Sequence, residues 1–153
     1  MFLSVFEIFK IGIGPSSSHT SGPMVAALRF LNAVEPAEAK AAARLSVTLH
    51  GSLAFTGKGH GTDRAVILGL AGEAPERIDP NTINHTVSTM AAVTIQGARI
   101  PFAPARDVIF DYGPALPGHA NGMIFRLHDA QDKVLRAETY FSIGGGFVQS
   151  AAE

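Results

Sequence analysis

Between the pairs Gly14-Pro15 and Gly22-Pro23 the chain places Ser16, Ser17, Ser18, His19, Thr20 and Ser21. Hydroxyls donate to carboxylate or phosphate oxygens, and an imidazole changes charge near neutral pH, so this loop has the makings of a cradle for a small anion. The two prolines fix φ and the two glycines reach backbone angles that other residues avoid, which lets the loop hold one shape. From Met24 the apolar residues Ala27, Leu28, Leu31 and Val34 fall at helical spacing, with Thr20 or Ser21 as N-cap and Pro23 in the first turn. The loop therefore feeds a helix N-terminus, whose free N–H groups and positive dipole end favour an anion. A loop of serines that only caps a helix and solvates a turn has the same composition, and the residues leave both readings open.

Two more histidines stand among glycines. His60 lies in Gly57-Lys58-Gly59-His60-Gly61-Thr62-Asp63, and His119 in Leu116-Pro117-Gly118-His119-Ala120-Asn121-Gly122. Loops held by a rigid scaffold are where ligand chemistry tends to sit, and an imidazole there can serve as acid, base or metal ligand. Each histidine singly reads as a turn residue; the three together point to a functional site. His50 and His85 read as face residues of a strand and a helix, and His128 as the solvent side of a strand.

Familiar constellations are absent. Ser18 and His19 are neighbours, which does not set a hydroxyl against a base, and there is no Gly-x-Ser-x-Gly elbow. Gly57-Lys58-Gly59 lacks the spacing of a phosphate loop and a hydroxyl after Lys58. Lys58 beside a helix start reads as a solvated turn residue, not as a Schiff-base lysine for pyridoxal phosphate. The histidines lack the short pairing that marks a zinc site, so no metal ligand is assigned.

The elements that must position these residues alternate between helix and strand. Ser4 and Glu7 form a capping box for a short helix over residues 5–10. The helix after the serine loop should stop near residues 32–35, ahead of Pro36. Residues 37–43 are Ala-rich and helical in propensity. Leu45, Val47 and Leu49 alternate with Ser46, Thr48 and His50, the pattern of a strand with one buried face. The turn 57–63 opens a helix with Thr62 as N-cap and Gly72 just past its end. Asp79-Pro80 starts another helix, with Ile83, Val87 and Met90 in register. Residues 93–95, 108–110, 123–128 and 134–143 read as strands, the last three as an antiparallel set, with 129–133 as a hairpin connection.

With 153 residues, 46% hydrophobic and 16% charged, the chain is long enough for one domain with a sizeable core. A net charge of -1 without charge runs advertises neither nucleic acid nor a membrane surface as partner. No apolar run nears the ~20 residues that cross a bilayer, and the opening lacks the basic start of a signal peptide, so the expected location is the cytoplasm. There are 0 cysteines, which excludes disulfides and thiolate metal ligands from this chain.

Four stretches carry a family resemblance: Gly12-Ile13-Gly14-Pro15-Ser16-Ser17-Ser18-His19-Thr20, Gly51-Ser52-Leu53-Ala54-Phe55-Thr56-Gly57-Lys58-Gly59-His60-Gly61-Thr62-Asp63, His119-Ala120-Asn121-Gly122-Met123 and Tyr140-Phe141-Ser142-Ile143-Gly144-Gly145-Gly146-Phe147. In this order they resemble the β domain of the iron–sulfur L-serine dehydratases (L-serine ammonia-lyases), and the likeness covers nearly all of residues 1–153. The resemblance implies conversion of L-serine to pyruvate and ammonia. It also implies a four-iron four-sulfur cluster held by cysteines of an α domain or subunit outside this chain, inactivity of the chain alone, and a homo-oligomeric whole enzyme. By the same resemblance His60 is the leading base, His19 and His119 are further acid/base or orienting groups, and Ser16, Ser17, Ser18, Thr20, Thr62, Asp63 and Asn121 bind substrate or fix the turn of the base. The expected fold is one α/β domain, a mainly antiparallel sheet with helices on one side, resembling the regulatory substrate-binding domain of some phosphoglycerate dehydrogenases. That likeness supplies the alternative: a non-catalytic module that senses serine or another small anion. The discriminator is where the histidines point: His19, His60 and His119 converging on one surface that faces a missing partner favours the enzyme, and scattered histidines with a closed pocket elsewhere favour the sensor.

Overall fold

The computed structural model describes residues 18–75, 79, 81–144 and 147–152, with backbone alone at 58–60. The expected helix over residues 5–10 lies outside them. In chain order the elements are α1 (Ser21–Ala33), α2 (Pro36–Ala41), β1 (Arg44–Leu49), α3 (Ser52–His60), α4 (Thr62–Leu70), α5 (Ile83–Thr89), β2 (Ala92–Ile95), β3 (Ala98–Pro101), α6 (Pro104–Asp107), β4 (Val108–Phe110), β5 (Gly122–His128), β6 (Val134–Gly144) and β7 (Phe147–Ser150).

Five strands form one mixed sheet in the order β4-β1-β5-β6-β7, and β2 and β3 form a separate hairpin. The pairs β1–β5, β5–β6 and β6–β7 are antiparallel, whereas β4 runs parallel to β1, with Val47 opposite Val108. The antiparallel set expected of 108–110, 123–128 and 134–143 therefore holds only for the last two. The chain reaches β4 through helices and a hairpin, a crossover of the kind that returns a strand parallel to its neighbour.

The core joins one sheet face to the helices. Leu45, Val47 and Leu49 of β1 and Met123, Phe125 and Leu127 of β5 meet Ala26, Ala27 and Phe30 of α1, Leu53 of α3, and Val66, Ile67 and Leu70 of α4. Phe30 stacks on Phe125 at 5.3 Å. The second face of β1 is buried too, against the expectation of one buried face. Ser46 bonds His128 Nε2 at 3.1 Å, and Arg126 donates to Thr48 Oγ1 at 3.2 Å. These long side chains roof the small hydroxyls, so His128 is a buried partner of Ser46 and not the solvent-facing residue its strand position suggested.

Local chemistry sets the ends. α1 stops at Ala33, within the expected window, and Pro36 opens α2, where Glu35 and Glu38 make a reciprocal capping box. Gly72 ends α4 with φ +91°, and the bonds Gly72 N to Gly69 O and Glu73 N to Leu68 O complete a Schellman motif. Asp79 accepts from the Asn81 N–H, but the helix it precedes begins only at Ile83. In the 129–133 connection the Asp129 carboxylate accepts from Gln131 and Lys133 N–H groups, as a tight turn requires. The hairpin between β2 and β3 turns at Gln96 and Gly97, both with positive φ.

The largest departure concerns residues 57–61. Gly57, Lys58, Gly59 and His60 are the second half of α3, and only Gly61, at φ +75°, breaks the helix before α4. Gly61, not Thr62, is the N-cap. A Cβ on Gly57 would lie 3.0 Å from the Phe110 ring and 3.4 Å from Thr62 Cβ, so this glycine allows close packing and makes no turn.

Candidate functional site

Around His19 three helices begin. His19 stands two residues before α1, its Nε2 is 2.9 Å from the hydroxyl of Ser52, the first residue of α3, and its carbonyl accepts a 2.6 Å bond from the hydroxyl of Thr62, the first residue of α4. Its Nδ1 meets Ser18 Oγ at 2.9 Å. The imidazole is buried at 9% exposure, so its orientation is set by the two hydroxyls and not by bulk water. A neutral ring donates at one nitrogen and accepts at the other, and hydroxyls adapt to either tautomer. His19 can thus pass a proton between the Ser18 and Ser52 sides without moving. The N-termini of α1 and α4, of 13 and 9 residues, put two positive dipole ends beside this imidazole. Thr20 and Thr62 are fully buried, and Thr20 flanks α1 without a side-chain capping bond.

The third and fourth stretches reach the same place through the backbone. Gly51 turns the chain out of β1 with φ +58°, and a Cβ there would lie 2.3 Å from the Ala120 carbonyl oxygen. That close approach lets the Ser52 N–H donate to Ala120 O at 2.9 Å. Asn121 then exchanges bonds with Ser142: its carbonyl accepts from the Ser142 N–H at 3.0 Å and its side-chain amide donates to Ser142 O at 3.2 Å. A continuous path of hydrogen bonds and adjacent residues runs from Ser18 through His19, Ser52, Ala120 and Asn121 to Ser142.

The expected site residues do not all share this cluster. Ser18 and Thr62, with Ser52, come together around His19, and Thr20 follows it in the chain. His119 is exposed, and its Nδ1 accepts from the Asn121 N–H at 3.0 Å, which leaves Nε2 as the ring's donor. Asp63 faces a separate cleft of about 440 Å³, lined also by Ile67, Val87, Pro104, Ala105, Val108 and Phe110. Ser16 and Ser17 lie outside the described residues, as does the side chain of His60, whose backbone ends α3.

Two polar residues had no assigned role in the sequence reading. Ser52 is the hub of the cluster, and the signal for it was its place directly after Gly51 at a strand end. Ser142 is fully buried, with an Oγ that has no hydrogen-bond partner among the described residues. His50, read as a strand-face residue, sits just beyond β1 with its Nδ1 3.7 Å from Asp111. Burial pushes its imidazole below the ordinary value; Asp111 pulls the other way, and Arg126 adds to the lowering. His50 is thus held neutral beside Gly51. Among the described residues no group of three His, Cys, Asp or Glu side chains could hold a metal ion.

Residues 4–153 match the serine dehydratase beta chain family. The chain is 44% identical over 153 residues to an L-serine dehydratase of Streptomyces coelicolor, with 97% of this chain and 34% of that protein covered. It is 43% identical to one of Helicobacter pylori, covering 98% and 33%, and 45% identical to one of Mycobacterium tuberculosis, covering 97% and 33%. It spans about a third of the length of these curated relatives. The ordered stretches that meet around His19 and Ser52, together with these matches, place the chain in the serine dehydratase beta chain family.

Proposed function

We propose that this chain is the β part of an L-serine dehydratase and supplies substrate-binding and acid/base groups to a reaction that turns L-serine into pyruvate and ammonia. The observation that carries the reading is the path of hydrogen bonds and adjacent residues from His19 through Ser52 to Asn121 and Ser142, which links all four ordered stretches. The sensor alternative asked for scattered histidines and a closed pocket elsewhere. Of the three histidines only His19 bonds Ser52, His119 is exposed, and the His60 side chain lies outside the described residues; it is the match to the serine dehydratase beta chain family and to L-serine dehydratases that favours the enzyme over the sensor.

Elimination removes the Cα proton and the β-hydroxyl of serine; the resulting aminoacrylate tautomerises and hydrolyses. A carboxylate suits the positive ends of α1 and α4 next to the Ser18 and Thr20 hydroxyls. His60, at the end of α3, is assigned the base. His19, held between two hydroxyls, orients substrate and moves protons; His119 Nε2 donates at the rim. Thr62 fixes the His19 carbonyl, and Asn121 braces the loop that carries Ser52.

The iron–sulfur cluster implied by the resemblance does not fit residues of this chain: thiolates are its usual ligands, and the sequence has 0 cysteines. Its ligands belong to a separate α domain or subunit, and no step of the scheme passes through a group held here. The likeness to the substrate-binding domain of phosphoglycerate dehydrogenases, the homo-oligomeric assembly and the cytoplasmic location belong to the same proposal. Among the described residues no helix is long and apolar enough to cross a membrane.

The test is an anaerobic assay of the chain alone and of the chain joined to the complementary two-thirds of the Streptomyces coelicolor dehydratase. Pyruvate should form from L-serine only in the joined protein. Turnover by the chain alone, without iron, would overturn this division of labour.

A further inference from the structure

Next to the His19 cluster the surface changes character. Phe55, one turn beyond Ser52 on α3, is 63% exposed, and Tyr112, just past β4, is 56% exposed. Their rings meet edge to face at 5.5 Å, and Tyr112 stacks on Phe110 at 6.5 Å. Phe110 also forms a wall of the 440 Å³ cleft between α4, α5 and β4. An exposed aromatic ledge therefore runs into an apolar hole. Large aromatics beside a pocket are the usual anchors of a protein interface, and a water-exposed pair of this size is costly on a free surface.

The cleft also has a charge. Asp63 lines it, and no ion pair to Asp63 forms among the described residues. A complementary segment would be apolar with one basic side chain placed over Asp63. The chain spans only about a third of its relatives, so a polypeptide of twice its length remains to be accommodated. The geometry points to the ledge of Phe55, Phe110 and Tyr112, with the Asp63 cleft, as the surface on which the polypeptide corresponding to that other two-thirds docks. This rests on the dehydratase reading and gives it a direction: the docked chain would cover the α3 side of the site, one helical turn from Ser52.

Hydrogen exchange tests the assignment, with the 153-residue chain compared free and joined to the complementary part of the Streptomyces coelicolor dehydratase. Amides of residues 53–63 and 104–112 should exchange at least about tenfold more slowly in the joined protein, and those of 147–150 should not change. Ala105→Trp, which fills the cleft from an exposed position, and the pair Phe55→Ser with Tyr112→Ser should abolish that protection. Phe147→Ser, at a residue 70% exposed on β7, should leave it intact. Circular dichroism of each free variant checks the fold. Protection confined to other surfaces, no protection, or equal protection in the concentrated free chain, which would mark a second copy as the occupant, each overturns the proposal. Pyruvate formed by the same joined protein reports separately on the dehydratase reading, so the two can fail independently.

Discussion

Ser52 is a small residue with an unusual share of the connections: its hydroxyl holds His19 Nε2 and its N–H holds Ala120. In the joined enzyme Ser52→Ala should raise KM for L-serine more than it lowers kcat, because it frees an orienting group used in both ground and transition states. His60→Ala should instead lower kcat by ~10²- to 10⁴-fold, the usual share of a general base. Exchange of the serine Cα hydrogen with deuterated water decides the matter: retention of wild-type exchange in His60→Ala would pass the base role to His19 or His119. Thr62→Val keeps shape and removes the 2.6 Å bond to the His19 carbonyl, leaving a buried acceptor without that donor. A loss of about 1–3 kcal/mol in urea unfolding is expected.

Between elements, α1 lies close against α4 at Gly69. A Cβ on Gly69 would come within 2.5 Å of the Met24 carbonyl oxygen and 2.7 Å of Ala27 Cβ, and both are backbone or rigid neighbours. Alanine is the better helix former by about 1 kcal/mol, yet overpacking of this kind costs about 1–3 kcal/mol. Gly69→Ala should therefore destabilise the protein, and because α1 and α4 both start at His19, it should also raise KM. Thermal unfolding and steady-state kinetics read the two effects. A more stable Gly69→Ala protein would mean that the helices separate at little cost.

At the scale of the molecule, stability should follow two buried titrations. His50 has its folded value lowered, so the unfolded chain, near pH 6.5, binds its proton first. Stability is therefore full above that value and declines as pH falls toward the folded one. His50→Gln should flatten this part of a urea-midpoint profile between pH 7.5 and 5.5; an unchanged profile would remove His50 from the account. Asp107 provides the acid arm. Burial raises its carboxyl, but the Arg106 fork, the Ala103 N–H and Arg44 outweigh burial and hold it below the usual carboxylate range. Its contribution is present above that range and is lost as pH falls through the folded value.

Whatever depends on neighbours along the chain was legible before folding. Pro36 closes α1, Gly72 ends α4, Asp129 makes the hairpin turn, and the alternation in β1 and β5 marks strands, all through local sterics and short-range hydrogen bonds. The sequence also carried the family, because the four ordered stretches are legible as text. It missed β3, whose type of turn is usually announced by Asn-Gly and here is Gln96-Gly97, and β7, which follows a run of glycines. The remaining features arise from packing between distant segments. Glycines at 57 and 59 read as a turn, but the backbone of both is helix, and Gly57 there packs close to Phe110 and Thr62. The parallel placing of β4, the burial of His128 under Ser46, and the choice of Ser52 as the partner of His19 all join residues far apart in sequence. No local pattern encodes such pairings; only the closing of the core brings them within hydrogen-bond reach.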